Sequence, residues 1–239
     1  MIITNIKKII TTGALATMLL AMGCKKNSYF DNTGLTDPRF QGTVLDYLKS
    51  KPVYFDSIVK IIHIAGLDDA FTKEDITFFA PADSSVRRTL MALNQELRLE
   101  GKNEVTRLEQ IKPAVWRAQL TRYLFKGKKS LNDYPQLDGQ NISAYPGQIY
   151  AAYDGQIMNI GVVYNDAGGV KYAGYRQLFL SYIPSPTSPR DYNTWFSVPV
   201  ASVNIQPTNG YVHALVYVNH YFGFEPNQFI ENAIAAGID

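Results

Sequence analysis

The chain has 239 residues, of which 46% are hydrophobic and 18% are charged. This balance is typical of a globular protein and excludes a disordered or fibrous one. The formal net charge is only +2. A nucleic-acid-binding surface needs a large excess of Lys and Arg, so we expect no nucleic-acid partner.

The first 23 residues have the pattern of an export signal. Lys7 and Lys8 form a short basic region, and the uncharged apolar segment 9–22 follows them. That segment is too short for a comfortable bilayer crossing but suits a signal peptide. It resembles a bacterial lipoprotein signal, which implies cleavage after Gly23 and lipid attachment to Cys24, the only cysteine. The alternative is an ordinary signal followed by a buried free thiol.

The polar segment 24–39 is predicted to be a tether between the anchor and the folded domain. Lys7 and Lys8 leave with the signal and no acidic residue does, so 21 basic and 21 acidic residues remain. A mature net charge near zero gives no strong attraction to an anionic membrane surface. The membrane is therefore expected as a partner only through a lipid on Cys24, and the sequence does not indicate which membrane face the domain occupies.

The first half of the domain reads as helices around one buried strand. The apolar run Ile76–Ala80 predicts a strand that ends at Pro81, because proline has no backbone N–H for a sheet. Asp83 and the two serines after it are predicted to cap a helix that begins near Val86. Apolar residues at helical spacing predict further helices over 43–51, 54–65 and 113–126.

From about Lys128 the apolar period changes from that of a helix to that of a strand. Asp154-Gly155 predicts a tight hairpin between two strands, and 176–183 predicts another strand. A last strand is predicted over 211–222 with its even-numbered residues in the core, and a short helix after Asn227. Helices followed by strands predict an α+β fold.

Two motifs resemble those of the fasciclin-like domain. The first is Thr77-Phe78-Phe79-Ala80-Pro81-Ala82-Asp83, and the second is Asn209-Gly210-Tyr211-Val212-His213. The resemblance covers about 40–224 and implies N-terminal helices packed on a mainly antiparallel sheet or wedge. Within that range we predict an enlarged β insertion at about 161–202, and after it a helical tail at 225–239. The motif residues are expected to be structural: Thr77, Phe78, Ala80, Pro81, Asn209, Gly210 and His213.

The second motif also has a physical reading of its own. Asn209-Gly210 is predicted to be a turn that tolerates positive φ and leads into a strand. His213 is expected on the face opposite the apolar one, where it would bond backbone or a carboxylate. One departure from the family concerns a segment linked to adhesion in animal members, which usually holds Tyr-His. Arg122 and Tyr123 stand there, which weakens any transfer of a particular receptor.

Catalytic and metal chemistry are not expected. The three histidines include His213 and His220, which are seven apart on the predicted strand and so on opposite faces. The sequence shows neither a Gly-rich phosphate loop nor a Gly-x-Ser-x-Gly elbow. Acidic residues in turns could still meet in space, but exposed acids in turns are usually only solvated. We therefore predict no enzyme and no cofactor.

These observations predict a membrane-anchored, non-enzymatic binding or cell-adhesion module in a Gram-negative envelope, on the outer membrane. One alternative is a glycan-binding accessory lipoprotein of an uptake system, and another is a structural envelope protein. Aromatic residues in the inserted region form the candidate interaction surface for an unknown protein or glycan: Tyr172, Tyr175, Tyr182, Tyr192 and Trp195. The competing interpretation is that these residues reflect strand propensity and sheet packing.

Overall fold

The computed structural model describes residues 37–185, 187, 189 and 191–239. The helices and strands given below belong to one compact unit, Pro38–Asp239. The predicted signal, Cys24 and the tether up to residue 36 lie outside the described residues, so these predictions remain untested. Within the described ranges, no helix has the length and apolar character needed to cross a membrane.

The described residues contain six α-helices. They are α1 (Val44–Lys49), α2 (Pro52–Ile64), α3 (Asp68–Lys73), α4 (Asp83–Leu99), α5 (Pro113–Leu120) and α6 (Pro226–Ala236). Thr43 begins α1 with a reciprocal capping box to Asp46, and a proline begins α2, α5 and α6. Proline suits that first helical position because its missing N–H would have no partner there. The helix predicted after Asn227 is therefore present as α6.

Seven strands in the described part of the chain form one sheet. They are β1 (Ile76–Ala80), β2 (Leu124–Lys126), β3 (Gln148–Ala151), β4 (Ile157–Tyr164), β5 (Arg176–Tyr182), β6 (Phe196–Ile205) and β7 (Gly210–Leu215). Their order is β2-β1-β7-β6-β5-β4-β3. Only the β1–β7 pair is parallel; the other neighbours are antiparallel. The α+β class predicted from the sequence is confirmed, as is a mainly antiparallel sheet with helices before it.

The helices enclose an aromatic core with β1 at its centre. All five residues of β1 are buried, and Phe78 meets Phe71 of α3 edge to face at 4.8 Å between ring centroids. Trp116 of α5 contacts Phe229 of α6 at 5.3 Å. The C-terminal helix thus packs into the core of the domain, with Phe229 fully buried.

The folded unit includes the end of the predicted tether. The backbone N–H of Gln206 donates to the carbonyl of Pro38 at 2.7 Å, and Phe40 donates back to Gln206 at 2.9 Å. Strands β4, β5 and β6 of the predicted insertion lie inside the continuous sheet. The limits of that insertion stay a prediction.

Three predictions about element ends are wrong. The helix predicted over 113–126 ends at Leu120, and Leu124–Lys126 form β2 instead. Asp83 does not cap its own helix: it lies in the first turn of α4, and its Oδ1 accepts the N–H of Ser57 at 2.9 Å. The last strand ends at Leu215 rather than near Phe222, and Tyr217 and Val218 are exposed. The parallel pairing stops at Ala80, because Pro81 offers no N–H to continue it.

Candidate functional site

The two fasciclin-like motifs lie side by side on neighbouring interior strands of the sheet. Strands β1 and β7 pair in parallel register from Ile76 opposite Gly210 to Ala80 opposite Ala214. The two motifs are more than 120 residues apart in the chain, so this contact is a property of the fold rather than of local sequence. The apolar motif residues Phe78, Ala80 and Pro81 are all buried at this junction.

The polar motif residues Thr77 and His213 hold the same short segment. The hydroxyl of Thr77 donates to the carbonyl of Gly127 at 2.7 Å and accepts the N–H of Lys129 at 2.9 Å. The Nε2 of His213 donates to the carbonyl of Lys129 at 3.0 Å, while its Nδ1 accepts the N–H of Asn204 at 3.2 Å. His213 therefore bonds backbone, which is one of the two roles predicted for it.

His213 is fully buried and uncharged in this arrangement. Burial lowers the pKa of His213 to about 4, because removing the imidazolium from water costs more than the bond to Lys129 returns. Its ring lies 5.0 Å from that of Phe79. A neutral imidazole enclosed by aromatic rings and backbone acts as a structural pin, with no open side for a substrate.

Asn209 and Gly210 join the helical layer to the sheet. The amide oxygen of Asn209 accepts the N–H of Val44 at 2.8 Å, and its amide nitrogen donates to the carbonyls of Phe71 and Glu74 at 3.2 and 2.9 Å. Gly210 does not have positive φ, so that part of the prediction is wrong. A Cβ on Gly210 would lie 2.1 Å from the carbonyl oxygen of Ile76; the position needs glycine because two strands approach closely there.

Arg122 and Tyr123, the two residues that depart from the family pattern, belong to a second buried polar cluster. Arg122 is 4% exposed and donates to the carbonyl of Gly223 at 2.5 Å and to the Oε1 of Gln228. Its guanidinium lies 4.3 Å from the ring centroid of Tyr182. Desolvation lowers the pKa of Arg122.

Tyr123 continues this cluster toward the segment after β7. Its hydroxyl accepts the N–H of Gly223 at 2.7 Å and donates to the Nε2 of His220 at 2.9 Å. Burial lowers the pKa of His220 to about 3, so the imidazole is neutral and accepts. The bonds fasten the end of α5 to residues 220–228. Sequence reasoning marked Arg122 and Tyr123 only as departures, because their partners are about 100 residues away.

The predicted aromatic surface does not form one surface. Tyr182 is 2% exposed, since it packs beneath Arg122 and against Phe224, and it is therefore excluded from an exposed site. Tyr172 and Tyr175 precede the first residue of β5. Tyr192 and Trp195 precede β6, which is antiparallel to β5, so they lie near the last residue of β5. The seven residues of β5 separate these pairs by about 20 Å at the usual rise of a strand.

Tyr172 lines a polar cleft of about 340 Å³. Its hydroxyl donates to Asp138 at 2.8 Å and its backbone N–H donates to Asp166 at 2.8 Å. It has a φ of 61°, a strained conformation for a residue other than glycine. The hydrogen bond to Asp138 raises the pKa of Tyr172 to about 12. Gln140, Asn165 and Lys171 supply further polar groups to the cleft.

The other aromatic pair belongs to an exposed apolar edge. The rings of Tyr192 and Trp195 meet edge to face at 4.5 Å between centroids. Phe196 is 39% exposed at the start of β6, and Tyr217 and Val218, which follow the end of β7, are 53% and 62% exposed. Because β6 and β7 are antiparallel interior strands, these residues lie together at one end of the strands, and the apolar edge that they form is not an edge strand of the sheet.

The described ranges contain no group of three or more His, Cys, Asp or Glu side chains arranged to hold a metal ion. The two buried histidines are each occupied by other groups: His213 bonds backbone and His220 bonds Tyr123. The predicted interaction residues reach solvent at the Tyr172 cleft, at the Trp195 edge and at Tyr175, which is 65% exposed.

The chain has a structural likeness to a cell-adhesion protein. A solved pair of FAS1 domains from the insect cell adhesion molecule fasciclin I matches 74% of this chain at 15% sequence identity and a TM-score of 0.46. The matched region spans half the length of that domain pair. No family model and no curated protein matches the chain. A likeness at this level carries no argument about function, and the α+β class rests on the helices and the sheet themselves.

Proposed function

We propose that this chain is a non-enzymatic binding or adhesion module of the fasciclin-like type, held on a membrane by a lipid on Cys24. The observation that supports it most is the pairing of the two motifs in β1 and β7. The polar side chains of Thr77, Asn209 and His213 bond backbone groups. The motifs thus build a scaffold, and recognition falls to surfaces outside them.

The anchoring part of the proposal rests on the sequence around Cys24. We place the domain in a Gram-negative envelope, on the outer membrane. The test is membrane fractionation together with protease treatment of intact cells, comparing the wild type with Cys24→Ala. Loss of Cys24→Ala from the membrane fraction is the expected result, and a variant that stayed membrane-bound would contradict the anchor.

The binding part is tested by in-cell cross-linking of the full-length protein. A binding or adhesion module should cross-link to a partner on the envelope or on neighbouring cells in a saturable manner. Stable complexes with envelope proteins in the same cell, with no ligand that competes for them, would instead support a structural envelope role. A catalytic turnover of any captured ligand would contradict the non-enzymatic assignment.

A second candidate function is glycan binding, which the Tyr172 cleft favours. Its carboxylates, amides and tyrosine rings are the groups that pair with sugar hydroxyls and pack on sugar faces. A glycan array with the full-length protein would test it, using Tyr172→Ala and Trp195→Ala as a matched pair. Signal lost only in Tyr172→Ala places the site in the cleft, signal lost only in Trp195→Ala places it at the apolar edge, and no signal rejects glycan binding.

A further inference from the structure

Helix α4 forms one wall of a groove that none of the motifs uses. The groove has a volume of about 570 Å³, within the usual range of ligand sites. Tyr221 closes one side of it. The side chains that α4 contributes recur at helical spacing along one face: Ser84, Arg87, Arg88, Met91, Gln95 and Arg98.

The groove carries an excess of positive charge. Arg98 pairs with Glu104 at 3.0 Å, and Glu104 is the one acidic residue in the lining. Within the part of the chain that the structure describes, Arg87 and Arg88 have no carboxylate within ion-pair distance. The guanidinium of Arg88 lies 5.6 Å from the ring centroid of Tyr221, which orients it beside the groove. Two guanidinium groups are thus left for an anionic ligand.

Two buried polar atoms in the lining lack partners. The Nε of Arg88 and the Oγ of Ser84 are shielded from solvent and make no hydrogen bond to any described residue. Buried donors without partners are costly, and each one needs an explanation. The shielded Nε lies out of a ligand's reach, and a carboxylate in the groove would accept from the terminal nitrogens of Arg88, which are not among the shielded atoms.

The apolar group in the groove points to a peptide. Met91 is 65% exposed and lies between the Arg87–Arg88 pair and Arg98 on the same helix face. Arginine, methionine and tyrosine are enriched at protein interfaces, and methionine adapts to varied apolar side chains. Arg87 and Arg98 are about 16 Å apart along the helix at 1.5 Å per residue, which an extended peptide of about five residues would span.

We propose that the α4 groove binds an acidic peptide segment of a partner protein. Carboxylates of the segment pair with Arg87 and Arg88, and an apolar side chain next to them on the Arg98 side covers Met91. This inference rests on the proposal that the chain is a binding module, and it names the chemistry of one partner. It assigns recognition to a surface separate from the Tyr172 cleft and the Trp195 edge.

Fluorescence anisotropy tests the groove directly. The full-length protein in detergent is titrated against a labelled ten-residue peptide with glutamate at alternate positions and one central leucine. A second peptide has glutamine in place of every glutamate and controls for partition into detergent. We expect the glutamate peptide to bind and the glutamine peptide to bind at least tenfold more weakly, with affinity that falls as salt rises.

Arg87→Glu is the decisive variant, because Arg87 is exposed and its change leaves the fold intact. It should raise the Kd of the glutamate peptide about tenfold or more, since a charged hydrogen bond is lost and a like charge is introduced. Arg107→Glu is the matched control, being an exposed arginine outside the groove, and should leave the Kd unchanged. Equal effects of the two variants, or equal binding of the two peptides, would overturn the proposal.

Two further outcomes are decisive. Tighter Arg87-dependent binding of a sulfated hexasaccharide than of the peptide would overturn the peptide assignment and make the groove an anionic-glycan site. In the cross-linking assay, partner capture that Arg87→Glu does not alter would reject the groove while the binding-module proposal stands. Absence of any capture by the wild type would reject the binding-module proposal itself.

Discussion

Thr77 and His213 bond the two backbone groups of one residue, Lys129. The hydroxyl of Thr77 accepts the N–H of Lys129 at 2.9 Å, and the Nε2 of His213 donates to its carbonyl at 3.0 Å. Thr77 lies in β1 and His213 in β7, the parallel pair of strands. The two motifs therefore meet through a third segment, and each polar motif residue satisfies backbone groups that would otherwise be buried without partners.

Replacement of Thr77 by valine should destabilise the domain at nearly constant volume. The change removes the bonds to Gly127 and Lys129 and leaves both backbone groups unsatisfied, which costs about 2–4 kcal/mol. Urea unfolding of the purified protein measures it. Thr72→Val is the control: its hydroxyl bonds only the carbonyl of Asp68 within α3, and it should cost less than about 0.5 kcal/mol. Similar losses in both variants would contradict the role of Thr77.

The sequence predicted local features well because their causes are local. The run before Pro81 formed β1, the Asp154-Gly155 turn joined β3 to β4, and residues after Asn227 formed α6. The order of these elements along the chain was sufficient to predict the α+β class. The resemblance also identified two strands that lie side by side.

The failures involve partners that are distant in the chain. Aspartate is a residue type that often caps helices, and Asp83 precedes a helix in the sequence. The packing of α4 against α2 instead presents its carboxylate to the N–H groups of Ser57 and Ile58. Tyr182 and Trp195 look alike as aromatic residues near strand ends. Only the tertiary structure shows that the first is covered by Arg122. The α4 groove likewise requires Tyr221 beside Arg88, a contact across 133 residues.

Gly210→Ala should be among the most damaging small substitutions in the chain. Its Cβ would lie 2.1 Å from the carbonyl oxygen of Ile76, and the backbone of an interior strand cannot move away without breaking the β1–β7 pairing. We expect a loss of about 3 kcal/mol or more, measured as the urea midpoint or, in the extreme, as failure to fold. Gly139→Ala has open space around its Cβ and should be nearly neutral. A stable Gly210→Ala protein would show that the strands are not so close.

Asn209→Asp tests the connection between the helical layer and the sheet. The oxygen that accepts from Val44 is kept, but the nitrogen that donates to Phe71 and Glu74 becomes a second acceptor facing two carbonyls. We expect a loss of about 3 kcal/mol, because a buried charge is added and two carbonyls lose their donor. Asn103→Asp, at an exposed position, should change stability by less than about 0.5 kcal/mol. Thermal unfolding at neutral pH compares the two.

Buried His213 and His220 should make the domain sensitive to mild acid. Burial lowers the pKa of His213 to about 4 and that of His220 to about 3, from an ordinary value of 6.5. Each histidine favours the neutral state in the folded form, so its contribution is complete above about pH 6.5. That contribution is lost as the pH falls toward 4, where the unfolded chain takes up protons that the folded chain does not.

The expected loss between pH 7.5 and pH 4.5 is on the order of a few kcal/mol for the two histidines together. His213→Gln keeps an amide that can reach Lys129 and cannot charge; it should be less stable than the wild type at pH 7.5 but lose less stability on acidification. Thr77→Val, which removes bonds to the same Lys129 segment without changing a titratable group, should retain the full wild-type pH dependence. Urea unfolding of the three proteins at both pH values measures the effect. An unchanged pH slope in His213→Gln would mean that His213 is accessible to protons in the folded state, contrary to its enclosure between Phe79 and Lys129.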